Sequence, residues 1–237
     1  MQLFYSSEIG PENPTYTFSR EESKHIIKVL RKKEDDLIHL TDGRGNLYNC
    51  KIITANPNKC TVQIKESEYH EPMSYKLHMA VAPTKNNDRF EWFLEKATEI
   101  GITDITPLLC DHSERKNIKE ERLSKIVQSA MKQSLQMHLP KLHPLTNFSS
   151  FISQLEENNA TKYIAHCEDG NKISLQRSLA PHNDVVILIG PEGDFSEKEI
   201  LIALENKYIA LTLGKNRLRT ETAALTACQL LSFLNEQ

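Results

Sequence analysis

Residues Val185–Ile189 are five aliphatic side chains in a row. A strand built from such a run is apolar on both faces, so it needs cover on both, as in a parallel sheet flanked by helices. The run leads into a turn, Gly190-Pro191-Glu192-Gly193, and then Ser196 with Glu199 three residues on, a capping box that opens a helix. Ligands of open α/β sheets bind at the carboxyl ends of the strands. Only 8 of 237 residues are glycine, fewer than the ~7% of average usage. Two within four positions at a strand's end suggest close approach of the backbone to another group. The same residues also read as a plain strand-to-helix turn, and Gly-x-x-Gly alone favours that plainer reading.

A second unit of the same kind comes next. Tyr208-Ile209-Ala210-Leu211-Thr212-Leu213 alternates like a strand, Gly214 ends it, and a helix begins near Glu221-Thr222-Ala223-Ala224 with Thr220 as the expected N-cap. Lys215, Arg217 and Arg219 put three cations beside that helix start, where an anion or an electron-rich base would be attracted. A solvated basic loop is the competing reading. Gly-x-Gly-x-x-Gly and the P-loop pattern are absent, as are His-Glu-x-x-His and Gly-x-Ser-x-Gly. Dinucleotide binding, a P-loop, metal binding and serine hydrolysis are therefore not expected.

The first seventy residues have a different texture, mostly short strands. The runs 3–5, 15–18, 37–40 and 47–53 are aromatic, β-branched or alternating, with Asp42-Gly43 between the last two as a hairpin signal. A further strand covers 60–64, and Ser19 with Glu22 caps one helix. The pattern changes near 68–75. Beyond it come a strand at 77–82, a helix at 89–100, a short strand at Ile105, a helix at 118–135 and a strand at 163–165. We expect two domains, 1–72 a small β-barrel and 73–237 an α/β domain.

The chain carries 29 Lys+Arg against 32 Asp+Glu, a formal net charge of −3, so any basic site is local. No apolar run approaches the roughly 20 residues of a transmembrane helix. No signal peptide is recognisable, so a cytoplasmic location is expected. The five cysteines, 50, 60, 110, 167 and 228, form no Cys-x-x-Cys and are read as reduced, mostly buried thiols. Lys24, Lys28 and Arg31 fall at i, i+4 and i+7, a cationic helix face, although a solvated face balanced by Glu34-Asp35-Asp36 is at least as good a reading.

Leu188-Ile189-Gly190-Pro191-Glu192-Gly193-x-Phe195-Ser196-x-x-Glu199, with Leu213-Gly214 and Leu218-Arg219-Thr220-Glu221-Thr222-Ala223-Ala224, closely resembles the RsmE family of 16S ribosomal RNA uracil-N3 methyltransferases, of the SPOUT superfamily. Val29-Leu30-Arg31 with Asp42-Gly43-x-Gly45 is similar to the family's N-terminal PUA-like barrel. Lys85, Asp88-Arg89 and Lys96-Ala97-Thr98-Glu99-Ile100-Gly101 are similar to its first catalytic-domain helix. Departures stand at Asp194, where a second glycine is usual, at Asn216 before Arg217, at Gln136 and at Gln2.

The resemblance implies an α/β trefoil-knot domain after a PUA-like barrel, a rare exception to unknotted chain paths. It implies S-adenosylmethionine as cofactor, held by Gly190, Pro191, Glu192, Gly193, Leu213, Gly214 and Leu218. It also implies a homodimer acting on 16S ribosomal RNA within the small subunit, with no metal and no membrane. Arg219 is the expected electrostatic catalyst and Glu221 its orienting partner or the proton acceptor, a structural Arg–Glu pair being the alternative. Lys24, Lys28, Arg31 and Arg217 are the expected RNA contacts. Methylation of another RNA or atom, or RNA binding without catalysis, are the rival functions.

Overall fold

The computed structural model describes residues 2–10, 12–155 and 159–235. The chain divides into two compact units, Met1–Pro72 with Met131–Leu139, and Met73–Ala130 with Pro140–Gln237. A single division after residue 72 misses the return of 131–139 to the first unit. Backbone bonds hold that return: Gly45 N–H donates to the Met137 carbonyl and Leu139 N–H to the Gly43 carbonyl, both at 2.9 Å.

The first unit is a five-stranded sheet, ordered β1-β3-β4-β5-β2, of β1 (Leu3–Tyr5), β2 (Thr15–Thr17), β3 (Leu37–Thr41), β4 (Asn46–Thr54) and β5 (Thr61–Tyr69). Asp42-Gly43 turns β3 into β4 as expected, with Leu40 opposite Tyr48 and Gly43 at φ +71°. The sheet curls. Phe4 on one edge strand and Phe18 just past the other meet edge-on at 5.5 Å, around a core that includes Ile26, Leu40, Tyr48 and Val62. β5 runs past the expected 60–64 because its polar half pairs with β4, a ladder that hydrophobic patterning does not reveal.

The helix α1 (Arg20–Lys24) starts at Ser19, whose Oγ accepts the Glu22 N–H. It is pinned by buried Ser23, which donates to the Phe18 carbonyl and accepts the Cys60 N–H. Its continuation, His25–Val29, widens into a π-turn. Leu30 N–H bonds to the His25 carbonyl, five residues back, and Arg31 leaves the helix at φ +56°. The expected i, i+4, i+7 face therefore fails at its last member: Lys24 and Lys28 stay on the helix and Arg31 does not.

The second unit alternates strand and helix. Its elements are β6 (Leu77–Val81), α2 (Asn87–Ile100), β7 (Asp104–Leu109), α3 (Glu120–Gln133), β8 (Lys141–Leu142), β9 (Thr146–Asn147), α4 (Phe148–Gln154), β10 (Thr161–Ala165), β11 (Ile173–Ser174), α5 (Leu175–Ser178), β12 (Val185–Ile189), α6 (Glu197–Glu205), β13 (Ile209–Thr212) and α7 (Thr220–Asn235). From Met131 on, α3 belongs to the first unit. The sheet runs β11-β13-β10-β12-β6-β7-β8 with parallel pairing throughout, and β9 also pairs with β7. β12 is buried at all five positions. Val186 and Leu188 face a core with Ala80, Ile164, Phe148 and Phe195, while α7 contacts β6 and β12 and packs on α2. The apolar run is thus covered on both sides, as its composition requires.

Near the starts of β6 and β7 lies a half-buried imidazole pair. His78 and His143 stack with centroids 5.1 Å apart, His78 Nε2 is 2.8 Å from Thr106 Oγ1, and His143 Nε2 is 2.8 Å from Asp104 Oδ1. Burial pushes the His78 imidazole down to about 4, outweighing the pull of Asp104. The native state keeps His78 neutral, whereas the unfolded chain takes up a proton near 6.5. Its contribution to stability is therefore complete above pH 6.5, is lost progressively between 6.5 and about 4, and changes no further below that. Urea unfolding at pH 7 and pH 5 should show a stability drop of at most roughly 2 kcal/mol, and His78→Gln should remove most of the pH difference.

Candidate active site

Three adjacent strands, β12, β10 and β13, end at one edge of the sheet. The turn after β12 is held from several directions. Ser196 Oγ accepts the Glu199 N–H while Glu199 Oε2 accepts the Ser196 N–H, completing the expected capping box. The other Glu199 oxygen accepts the Asp111 N–H at 3.0 Å, which accounts for a carboxylate that is almost fully buried. Glu192 Oε1 accepts the Lys85 N–H at 2.9 Å.

The glycines of this turn have an internal explanation. A Cβ on Gly190 would stand 3.1 Å from the Phe195 backbone and ring, and one on Gly193 would stand 3.2 Å from His112. The close approach inferred from the sequence is thus made to the protein's own side chains. Asp194 adopts φ +65°, a conformation that glycine takes without strain and Asp tolerates better than most. Its carboxylate then accepts the Phe195 N–H at 2.8 Å and the Cys167 N–H at 2.6 Å. The substitution keeps the turn and ties it to the end of β10.

After β13, Gly214 sits at φ +146° with open space where a side chain would be. Thr212 Oγ1 donates to its carbonyl at 2.9 Å. The exposed loop 215–219 leads to α7. Ala223 N–H bonds to the Arg219 carbonyl, so Arg219 rather than the expected Thr220 holds the N-cap position. Thr220 is buried, and its hydroxyl donates to the Gly190 carbonyl at 3.0 Å. This bond joins the two glycine turns.

A cavity of about 650 Å³ opens between these turns. Gly190, Pro191, Glu192, Leu213, Gly214 and Leu218 line it, with Arg217 and Arg219. Gly193 does not, because it is turned onto His112, its carbonyl 3.1 Å from His112 Nδ1. Sequence reading missed the middle of the wall, Ala165, His166 and Cys167, which come after β10 between the two turns. The short apolar run 163–165 was the available signal. Both ring nitrogens of His166 are buried and without a partner among the described residues. Burial, then the Lys172 cation, hold this imidazole below its ordinary value, so it is neutral and offers one donor and one acceptor.

A second cavity, of about 700 Å³, shares Arg217, Leu218 and Arg219 with the first. Its other walls are Asp88, Arg89 and Trp92 of α2 and Glu221 and Thr222 of α7. Glu221 was expected beside Arg219. It is instead buried against α2, 3.8 Å from Arg89 Nε, because α2 and α7 pack together. Arg219 is exposed and has no ion pair among the described residues. In the first unit, Arg20, Lys24 and Lys28 line a groove with Glu21, Pro57 and Asn58. Arg31 is not part of it. Among the described residues no group of three His, Cys, Asp or Glu side chains could hold a metal, and no helix is long and apolar enough to cross a membrane.

A family model described as an RNA methyltransferase domain matches residues 71–232, and one described as an RNA methyltransferase PUA domain matches 18–65. The ribosomal RNA small subunit methyltransferase E of Rickettsia conorii is 31% identical, over 98% of this chain and 95% of the relative. The crystal structure of a probable rRNA-methyltransferase from Porphyromonas gingivalis superposes with a TM-score of 0.91 at 36% identity, covering 100% of this chain and 99% of that one. A ribosomal RNA small subunit methyltransferase E from Neisseria gonorrhoeae, bound to S-adenosyl methionine, gives 0.84 at 27% identity, covering 99% and 98%.

Thr220→Val would leave the buried Gly190 carbonyl without its hydroxyl donor. The expected cost is about 1–3 kcal/mol, read as a lowered urea midpoint, with Thr220→Ser retaining most of the stability.

Proposed function

Because the chain belongs to the ribosomal RNA small subunit methyltransferase E family, we propose that it methylates N3 of a uracil in 16S ribosomal RNA with S-adenosylmethionine. The observation that carries this reading is the cavity between the two glycine turns, bordered by an exposed cationic loop that it shares with a second cavity. The first cavity suits such a cofactor in three respects. Its volume lies in the ordinary range for cofactor sites, the Cβ position of Gly214 is open space, and His166 holds two buried nitrogens awaiting partners. Gly190, Pro191, Glu192, Leu213, Gly214 and Leu218 would hold it, with His166 as a further polar contact. Gly193 would act only by fitting its turn against His112.

When bound, S-adenosylmethionine supplies an electrophilic methyl group on a sulfonium. Uracil N3 carries a proton and takes part in base pairing, so the target base must be unpaired to react. As the proton leaves, negative charge spreads onto the two ring carbonyls. Arg219, exposed and unpaired, is our candidate to stabilise that charge. Glu221 is our candidate to take the N3 proton, with Arg89 holding its carboxylate in position. Arg217 and the groove of Arg20, Lys24 and Lys28 would contact RNA phosphates, which orient a substrate without reading its sequence.

The family reading also implies a deep trefoil knot, in which the last helix is threaded through a loop. It implies a homodimer whose partner helps complete the RNA site. A domain division near 72/73, with 131–139 returned to the first domain, and action in the cytoplasm belong to the same proposal.

Labelled S-adenosylmethionine incubated with unmodified small subunits or naked 16S RNA should yield 3-methyluridine by nucleoside mass spectrometry. Arg219→Ala should lower kcat by roughly 10²–10³-fold while calorimetric cofactor affinity stays within a few-fold. Absence of any cofactor affinity would overturn the reading in favour of a non-catalytic RNA-binding protein. The double reversal Lys24→Glu, Lys28→Glu should weaken RNA binding at low salt. It should also reduce the slope of log affinity against log salt by about 1 for each phosphate no longer neutralised.

A further inference from the structure

Trp92 is the chain's only tryptophan, and it is 47% exposed on α2. An isolated exposed aromatic ring needs no explanation. Trp92 is not isolated: it lines the second cavity beside Arg89, Arg217 and Arg219. We infer that this cavity is the subsite for the target nucleotide, with the Trp92 indole as the face on which the uracil ring stacks. The inference rests on the methyltransferase reading and adds to it the place and mode of base binding.

Three observations converge on it. Transfer requires the acceptor atom about 3–3.5 Å from the donor carbon, so the base must bind at the border of the cofactor cavity. The second cavity has that border, because Arg217, Leu218 and Arg219 belong to both. A base taken out of its stack needs a new partner for its π-face, and single-stranded RNA bases find it on aromatic side chains. Trp92 is the one aromatic residue of the cavity lining. Finally, the ring is bordered by groups that suit a uracil edge. The guanidinium of Arg219 can donate to a carbonyl, and Glu221, 3.8 Å from Arg89, can accept from N3–H.

Arg89 and Asp88 precede Trp92 on α2 by three and four residues, the spacings that make helix side chains neighbours, so both flank the indole. A second copy of this chain covering that face is the competing occupant. The two occupants differ in what changes the indole environment: RNA in one case, protein concentration in the other.

Because Trp92 is the sole tryptophan, intrinsic tryptophan emission reports on this cavity alone. The wild-type protein at fixed concentration, titrated with a uridine-containing oligonucleotide at low salt, should show saturable quenching. The same strand with an abasic site in place of uridine should not. In parallel, Trp92→Ala should raise the KM for unmodified small subunits roughly five- to a hundredfold, the range for removing one base–aromatic stack. Calorimetric S-adenosylmethionine affinity should stay within twofold, and Trp92→Phe should restore most of the wild-type KM. Emission that ignores RNA overturns the subsite, and so does emission that follows protein dilution without RNA or an unchanged KM in Trp92→Ala. If the wild-type protein itself transfers no methyl group, the functional reading and the subsite fall together. Wild-type transfer with an unchanged Trp92→Ala KM overturns the subsite alone.

Discussion

The covering of β12 on both faces is the constraint that shapes the second unit. With Val186 and Leu188 in one core layer and helix α7, itself packed on α2, on the other side, no polar side chain fits within the strand without losing its partners. Polar chemistry is displaced to the strand's ends. At the carboxyl end the chain must reverse into α6, and the buried Glu199 holds that reversal by satisfying the backbone at Ser196 and Asp111. The turn is therefore rigid before any ligand arrives, which lowers the ordering cost of binding.

A single buried hydrogen bond, from Thr220 to the Gly190 carbonyl, joins that turn to the beginning of the last helix. Through it the loop 215–219 is fixed at one end by the core and left exposed along its length. The loop forms a wall of two cavities, and its Arg217 and Arg219 have no ion pair among the described residues, since nearby Glu221 is paired with Arg89 of α2. An uncommitted guanidinium beside a rigid cavity is what transition-state charge stabilisation asks of a protein, since no internal pair must be broken when charge develops. The compensation at Asp194 obeys the same logic. A residue with a side chain takes a backbone conformation suited to glycine, and its carboxylate uses the position to bond the neighbouring strand end.

Much of this was readable from residue order. The strand–turn–helix unit at 185–205, the hairpin at Asp42-Gly43 and the helices near 89–100 and 118–135 all depend on interactions within about five residues of each other. Such interactions repeat wherever the residues recur. The site was half readable. Six of the seven proposed cofactor residues line one cavity, but Gly193 is turned away by His112, which lies eighty-one positions earlier in the chain. His166 and Cys167 join the wall because β10 lies between β12 and β13. Strand order in a parallel sheet is set by long-range pairing and has no local signature.

The chain's own order of residues determined that a doubly covered strand exists, where it ends, and which caps and glycines turn it into a helix, because these are properties of short segments. Tertiary structure alone decided that Glu221 pairs with Arg89 rather than Arg219. It also decided that Arg31 leaves the cationic helix through a π-turn, and that 131–139 returns to the first unit. Each of those outcomes is a choice among several chemically adequate partners. The choice is made by which elements are brought within bonding distance once the apolar surfaces have been buried.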